Sequence, residues 1–577
     1  MTQLTAVKPR DVQVTPMAPE TFVYRSRTWD RLKFEIEYGL QKGTTANSYL
    51  IKSEKIALFD PPGESFTDIF ITALQKRLDL KTIDYIILGH VNPNRAETLK
   101  KLLELAPQIQ IVCSNPGAIS LRKILENDAI DIKVIKGDDV LNLGENHTLQ
   151  FILTPNPRFP DQVCTYDPKT KILYTDKLFG AHVCGDQIFD EGWTIYNEDR
   201  RYYFDCLMAP YAQQIASAVD KLKEKDAVIY ATGHGPLVRY GLHELTSSYQ
   251  HWLSTQKSQE LTVALIYASA YGNTATLAQA IASGITKAGV AVEAINAEHA
   301  EPDEIKSAIA KSAGFIFGSP TLGGHAPTQI QTALGITLAN ADKNKIVGVF
   351  GSYGWSGEAV DLLESKFKDA GYRFGFQPIR VKFKPTDIIL KTCEEAGTDF
   401  AQAIKKVQKA RKTRTNAPGG QSDRTEQALG RIIGSMCIVT CQQGEVKGAM
   451  LASWVSQATF TPPGLTIAVA KERAIESLLH SGNTFVLNIL GEGKHLGLMK
   501  HFLKPFAPGE DRFANIPYET AEDGSPILSD ALAYLECTVD SRMECGDHWV
   551  VYAIAKKGKV QGEGLTAIHH RKTGSHY

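Results

Sequence analysis

Apolar residues follow three different rhythms along this chain. From residue 30 to about 258, short apolar runs alternate with polar turn clusters. NSYLIKSEKIALFDPPG reads as a hairpin, because two β-rich stretches flank the polar SEK. KTIDYIILGH and IQIVCSN read as later strands, with the helix RAETLKKLLELAP between them. This pattern predicts an α/β layer arrangement. Between 261 and about 404 the alternation is cleaner. LTVALIYAS is a fully apolar strand, and TATLAQAIASGITKAG has helical periodicity ending at Gly289. VAVEAIN, AGFIFGSP and KIVGVFGS are further strands separated by helical stretches, so a doubly wound parallel sheet is expected. Residues 405–427 are basic, then rich in Pro, Gly and Ser, and read as a helix end plus a flexible linker. Residues 428–577 hold many strands (SMCIVTCQQ, GLTIAVA, TFVLNIL, HWVVYAIAKKGKV) and few helices, which predicts a mostly β barrel.

Length and charge narrow the picture further. A chain of 577 residues exceeds one hydrophobic core, so several domains are expected. The formal net charge of −1 supplies no electrostatic reason to expect a nucleic-acid partner or membrane binding. No apolar run approaches the length of a membrane span, and the N-terminal stretch MTQLTAVKPRDVQVTPMAPE lacks the apolar centre of a signal peptide. The nine cysteines are scattered, and Cys437 and Cys441 form C-x₃-C rather than a zinc or redox C-x₂-C. A cytoplasmic protein with reduced thiols and no membrane insertion is expected.

Candidate chemistry is densest in the middle segment. After the strand at 262–269 comes SAYGNT, with Ser269, Tyr271, Gly272, Asn273 and Thr274 at a strand-to-helix turn. Such a turn aims backbone N–H groups and a helix N-terminus at an anion. The Lys of a Walker loop is missing, so a monophosphate fits better than a triphosphate with Mg²⁺. Two more loops follow later strands. SPTLGGHAP (319–327) carries Pro320, Thr321, Leu322, Gly323 and Gly324, and GSYGWSG (351–357) carries Ser352, Tyr353, Gly354, Trp355 and Gly357. The glycines permit close approach, and Tyr353 and Trp355 offer faces to a flat ring. Doubly wound sheets bind ligands at these strand ends. Three such loops in this order resemble flavodoxin. The resemblance implies FMN, with its phosphate on 269–274 and its ring between the later loops.

The first segment contains YIILGHVNPNRAE (85–97), a strand ending in Gly89 and His90. It is similar to the metallo-β-lactamase-like domain of the flavodiiron proteins, in which a flavodoxin domain follows directly. In that family H-x-E-x-D-H, a later His, a bridging Asp and a final His hold two irons. The matching positions here are His90, Asn92, Asn94 and Arg95, then Arg158 in TPNPRFPDQ, Asp176 or Lys177 in ILYTDKLFG, and His234 in ATGHGP. The resemblance implies an αββα sandwich whose remnant ligands are His90, Asp176 and His234. Asn amides are neutral, and Arg cannot ligate. At an effective dielectric of about 20, each Arg–iron contact would oppose binding by several kcal/mol. Little iron is therefore expected. A salt bridge of Asp176 with an Arg, water or an anion would fill the site, while Asp161, Asp186 and Asp190 stay open as substitute ligands.

The last segment resembles the split-barrel flavin reductase-like domain. Its A-S-W-x-S-x-x-S-F-x-P-P pattern appears as ASWVSQATFTPP, with Ser453, Trp454, Ser456, Gln457, Ala458, Thr459 and Phe460 in the flavin-lining places. Asn488 in TFVLNIL and Gly546, Asp547 and His548 match further family positions. The resemblance implies a second flavin, FMN or FAD, with NAD(P)H as electron donor. Together the three segments resemble the flavodiiron proteins of oxygenic phototrophs, and the replaced ligands resemble their diverged cyanobacterial paralogues. The implied activity is NAD(P)H:oxygen oxidoreduction yielding water. The implied assembly is a head-to-tail homodimer, or a heterodimer with a paralogue that supplies an intact di-iron site. The alternative is a regulatory or scaffolding subunit.

Overall fold

A computed structural model describes residues 8–29, 42–144, 146–257, 259–415 and 424–571. Among these residues, 1–259 with 293–299 cluster as one compact unit, and 260–292 with 300–577 as a second. None of the described helices is long and apolar enough to cross a membrane.

The first unit is built on two sheets. A seven-stranded sheet runs in sequence order from Asp11–Ala18 to Ile132–Ile135, and a five-stranded sheet runs from Ile229–Thr232 to Val140–Asn142. The expected hairpin is present as Thr44–Lys52 against Ile56–Phe59. Side chains alternate across each strand, so each sheet has two faces to bury. Val23, Ile51, Phe59 and Ile87 of the first sheet meet Leu149, Phe151, Val163 and Tyr174 of the second in one core. Phe59 and Tyr174 stack there at 4.2 Å between ring centroids. On the outer face of the first sheet, Leu58, Ile86 and Ile111 pack against Phe70, Leu99 and Leu121 from its helices. The domain start expected at residue 30 is corrected. Asp11–Ala18 and Thr21–Thr28 form an antiparallel pair, the second strand of which joins the hairpin. Glu20 turns this pair with φ +58°.

The parallel sheet expected from the sequence is present. Its strand order is Ala291–Asn296, Thr262–Tyr267, Gly314–Pro320, Ile346–Tyr353, then Arg373–Phe374, with Ile379–Lys382 also on Ile346–Tyr353. The order reverses beside Thr262–Tyr267, which creates the crevice where such sheets take ligands. Helices Asn273–Lys287 and Asp387–Thr415 cross closely. Gly284 and Gly397 allow this, since a Cβ on either would overlap the other helix's backbone. The basic half of the expected linker is helical as far as Thr415, because that helix continues past the domain core. Residues 424–429 are also helical, and 416–423 lie outside the described residues.

The last seven-stranded sheet is antiparallel throughout its recorded pairs. It wraps one core containing Val439, Met450, Leu465, Phe485, Val539 and Val551, so the barrel follows from one sheet burying a single apolar face. All nine cysteines are free thiols. Replacing Gly284 by Val is expected to wedge the two crossing helices apart. Overpacking of this kind costs about 1–3 kcal/mol. Chemical denaturation followed by circular dichroism should show a shifted midpoint, while the same change at exposed Gly371 should act only through its turn.

Candidate functional site

In the first unit, strand ends from both sheets converge on one pocket. Asp60 follows Ile56–Phe59, and Gly89 and His90 follow Ile83–Ile87. From the second sheet come Asp176, at the end of Ile172–Asp176, and His234, after Ile229–Thr232. The last two strands run parallel with Asp176 beside Thr232. Gly89 and Gly233 let the chain close around Asp176. A Cβ on Gly89 would stand 2.8 Å from the Asp176 Cβ, and one on Gly233 would stand 2.8 Å from Asp176 Oδ1. Both acids adopt left-handed backbone, with φ +46° at Asp60 and +40° at Asp176. That conformation is unusual for a side chain other than Gly, and clusters where function or packing demands it.

Arg95 ties the pocket together. Its Nη1 donates to Asp60 Oδ1 at 2.7 Å and to the His90 carbonyl at 2.9 Å, and Nη2 donates to Asp176 Oδ1 at 3.3 Å. Lys177 Nζ stands 3.9 Å from the same Asp176 oxygen. All four side chains are buried. Burial, reinforced by the neighbouring Asp176 charge, pushes the Asp60 carboxyl up to about 6, while Arg95 and the Gly89 N–H pull it down. His90 is held by Asp161, with Nδ1 and Oδ1 2.7 Å apart, and the Val91 N–H donates to Asp161 Oδ2 at 2.7 Å. Burial would raise the Asp161 pKa, but the His90 and Val91 contacts outweigh it and hold the carboxyl below its ordinary value. Phe159 gathers the rest. The His90 ring lies edge-on to it at 4.8 Å, with Arg158 at 5.5 Å and Lys177 at 5.9 Å. His234 Nδ1 pairs with the Thr45 carbonyl at 2.7 Å, and its ring faces His182 at 4.8 Å.

The pocket thus brings together His90, Arg95, Arg158, Asp176 and Lys177. Both candidates for the bridging position are buried in it, and Asp176 is the one that receives Arg95. Asn92 and Asn94 are placed otherwise. Asn92 caps the short turn Pro93–Arg95 by accepting from the Asn94 N–H, and Asn94 is exposed. Two of the substitute ligands are committed elsewhere. Asp186 is exposed and pairs with Arg27 at 2.6 Å. Asp190 accepts from Arg200 and from three backbone N–H groups. Among the described residues no three His, Cys, Asp or Glu side chains are grouped to hold a metal ion. Asp60 and His182 were missed by sequence reasoning. The acid ending the hairpin strand in ALFDPPG was the available signal for Asp60, and His182 carried none.

In the second unit, the three loops expected to hold FMN stand together at the carboxyl ends of adjacent parallel strands, with Pro320 level with Ser352. The Thr321 N–H donates to the Ser352 carbonyl at 2.9 Å, and Thr274 Oγ1 lies 2.8 Å from Ser352 Oγ. Thr274 and Ser352 are buried, so their hydroxyls join the loops to one another. Ser269 Oγ accepts from the Ala275 N–H at 3.1 Å, inside the first turn of Asn273–Lys287. Gly272, at φ +80°, precedes that helix, and Gly323 and Gly324 also have positive φ. No atom lies within 4 Å of a Cβ built on any of these three, which leaves an open cradle. Tyr271 and Trp355 are exposed at its rim; Tyr353, Gly354 and Gly357 are half-buried.

The barrel's candidate residues divide into two groups. Ser456 is exposed, as are Gln457, Ala458 and Phe460. Trp454 is half-buried, with the His548 ring at 5.0 Å and Arg571 at 4.9 Å. Ser453 is buried against His569 at 3.1 Å, and Thr459 Oγ1 donates to the Pro462 carbonyl. Asn488 is corrected. It is fully buried, its Nδ2 donates to Ile438 and Thr440, and its Oδ1 accepts from the Leu528 N–H. Every polar atom of that amide serves the barrel, and none reaches a ligand surface.

Removing Arg95 while keeping both acids would take the bridging cation from two buried carboxylates. Arg95→Met is expected to destabilise this domain by about 3–5 kcal/mol, as breaking buried pairs does. Adding Asp60→Asn should recover part of the loss in urea denaturation.

Residues 44–235 match the family described as ODP family beta lactamase, 265–397 match Flavodoxin, and 429–574 match the Flavin reductase like domain. The chain is 70% identical over 570 residues to diflavin flavoprotein A 3 of Synechocystis, spanning 98% of this chain and 96% of the relative. It is 44% identical over 578 residues to diflavin flavoprotein A 1 of the same organism, spanning all of both. Among solved structures it resembles the metal-soaked Flv1 flavodiiron core from Synechocystis, at 71% identity and a TM-score of 0.68. That match covers 69% of this chain and 100% of the other. The chain belongs to the diflavin flavoproteins, flavodiiron proteins with a flavin reductase-like domain behind the flavodoxin domain.

Proposed function

We propose that this chain carries electrons from NAD(P)H, through a flavin on its barrel and an FMN on its flavodoxin loops, toward oxygen. The water-forming step would belong to a paralogous partner with an intact di-iron site. The observation that carries this reading is Arg95 bridging Asp60 and Asp176 in the pocket where the family holds iron. The residues present do not fit a di-iron pair. A guanidinium, which cannot lose its proton, already neutralises the carboxylates that would offset metal charge. The oxygen-reducing step is therefore not assigned to this chain.

The flavodoxin loops do fit a flavin monophosphate. The backbone N–H groups around Gly272 and Asn273 open a 15-residue helix, whose N-terminal dipole favours a phosphate. The Thr321–Ser352 and Thr274–Ser352 bonds keep the three loops in register around it. Tyr353 and Trp355 stand where a flat ring would pack. When bound, FMN supplies one- and two-electron exchange, and these residues supply binding, orientation and shelter.

Asn273→Glu would put a carboxylate at the phosphate position without disturbing a buried side chain. FMN affinity should fall by about tenfold or more, read by quenching of flavin fluorescence, since like charges at a few Å cost about 1–4 kcal/mol. An unchanged affinity would refute the phosphate assignment. Mixing or co-expression with an intact paralogue should raise water-forming oxygen uptake above the sum of the separate proteins, measured with an oxygen electrode with and without catalase. Strictly additive rates, with no mixed dimer by native mass spectrometry, would favour the regulatory or scaffolding reading.

A further inference from the structure

Within the second unit, the flavodoxin domain meets the barrel through buried charge. Lys287, at the C-terminal end of its helix, pairs with Glu394 and lies 3.8 Å from Glu476 of the barrel. Lys391 Nζ donates to Glu394 at 3.1 Å, and also to the Ala474 carbonyl and to Ser477 Oγ. Ser477 Oγ returns to Glu394 at 3.2 Å. Arg542 holds the other oxygen of Glu476 at 3.1 Å, and Arg512 holds Glu395 at 3.1 Å. Four cations and three carboxylates are thus shared across one joint. Charge-rich, polar contacts are typical of domain interfaces that can separate. Packing is also incomplete, since a cavity of about 400 Å³ opens there between Asp399 and Gln402 on one side and Met436, Phe502 and Phe506 on the other.

The joint lies on the helical flank of the flavodoxin domain and leaves the rim of its FMN loops exposed, while on the barrel side its cavity reaches Ser453 of the candidate flavin motif. Tyr271 is 86% exposed and Trp355 92% exposed on the FMN loops, and Phe460 is 86% exposed just after the barrel strand Val455–Thr459. Electron exchange between two flavins needs their rings brought close.

We propose that this joint is a latch. It parks the reductase domain on the flank of the flavodoxin domain, and electrons reach the chain's own FMN only after it releases. This rests on the electron-carrying function proposed above. Hydride transfer from NAD(P)H brings two electrons and one proton to the barrel flavin and leaves NAD(P)⁺. Those two electrons would then pass to FMN, which takes up a proton from solvent as the reoxidised barrel flavin releases one.

Thr392 and Gly509 face each other across the joint. A Cβ on Gly509 would stand 3.6 Å from the Thr392 Cβ, within the roughly 3.5–4.5 Å that a disulfide spans. The full-length, flavin-loaded Thr392→Cys/Gly509→Cys variant should crosslink on mild oxidation, as seen by peptide mapping without reductant. Failure of a correctly folded variant to crosslink would overturn the docked posture. In stopped-flow with NAD(P)H, bleaching of the barrel flavin should match that of the Thr392→Cys control. Reduction of the flavodoxin FMN should slow by about tenfold or more, as when a domain motion is blocked. Equal FMN rates would overturn the latch and point to transfer in the docked posture or between chains. Glu394→Gln, which takes from Lys287 and Lys391 the carboxylate they share, should act oppositely, widening the particle in small-angle scattering and speeding FMN reduction; an unchanged particle would also overturn the latch. If the barrel flavin takes no electrons in any variant, the functional reading fails, and the crosslink and scattering decide the latch without it.

Discussion

The first domain turns on one guanidinium. Asp60 and Asp176 arrive from different sheets on adjacent strand ends, both buried and both on left-handed backbone. Two carboxylates so placed cannot both stay ionised without a cation between them. Arg95 is that cation, and it also ties the His90 carbonyl to the same knot. Its positive charge, like that of Lys177, is part of the chain, so both carboxylates are paired as soon as the domain folds. A bound metal would instead depend on supply and on deprotonated ligands. The glycines at 89 and 233 close the backbone around Asp176 and leave no volume for a larger residue.

The flavin chemistry proposed for this chain lies in its second unit. The parallel sheet aligns three loops at one edge, and hydrogen bonds from Thr321 and Thr274 to Ser352 hold them in register. Glycines with open space around them leave room for a flat, phosphorylated ligand to approach the backbone. In the barrel, by contrast, the motif splits. Ser456 and Phe460 remain on the surface, while Ser453, Thr459 and Asn488 make hydrogen bonds that hold the barrel itself. A motif in sequence therefore mixes residues left open to solvent with residues that hold the scaffold, and only their neighbours tell them apart.

The joint inside the second unit follows similar rules. Glu394 is shared by Lys287, Lys391 and Ser477, so no single pair carries it. Buried ion pairs contribute little net stability over apolar packing, yet removing one member is costly. Such a contact is specific in its geometry and balanced in its strength, which suits two domains that dock without fusing into one core.

Period and punctuation in the sequence determined most of the secondary structure. The hairpin at 44–59, the alternating strands and helices from 262 to 353 and the strand-rich C-terminal segment all follow from local apolar spacing and turn residues. The residue types at 92, 94, 95 and 158 were equally legible, because Asn and Arg have fixed chemistry wherever they stand. What Arg95 does instead was decided by tertiary structure, since Asp60 and Asp176 lie 35 and 81 residues away and meet it only when the sheets pack. The opening strands at 11–28 escaped for a related reason: their pairing is with each other and with the hairpin, and their composition alone marks no domain edge. Asn488 and Ser453 carry the same polarity as true ligand contacts. Their hydrogen bonds to strands distant in the chain made them part of the barrel, and no local pattern records such partners.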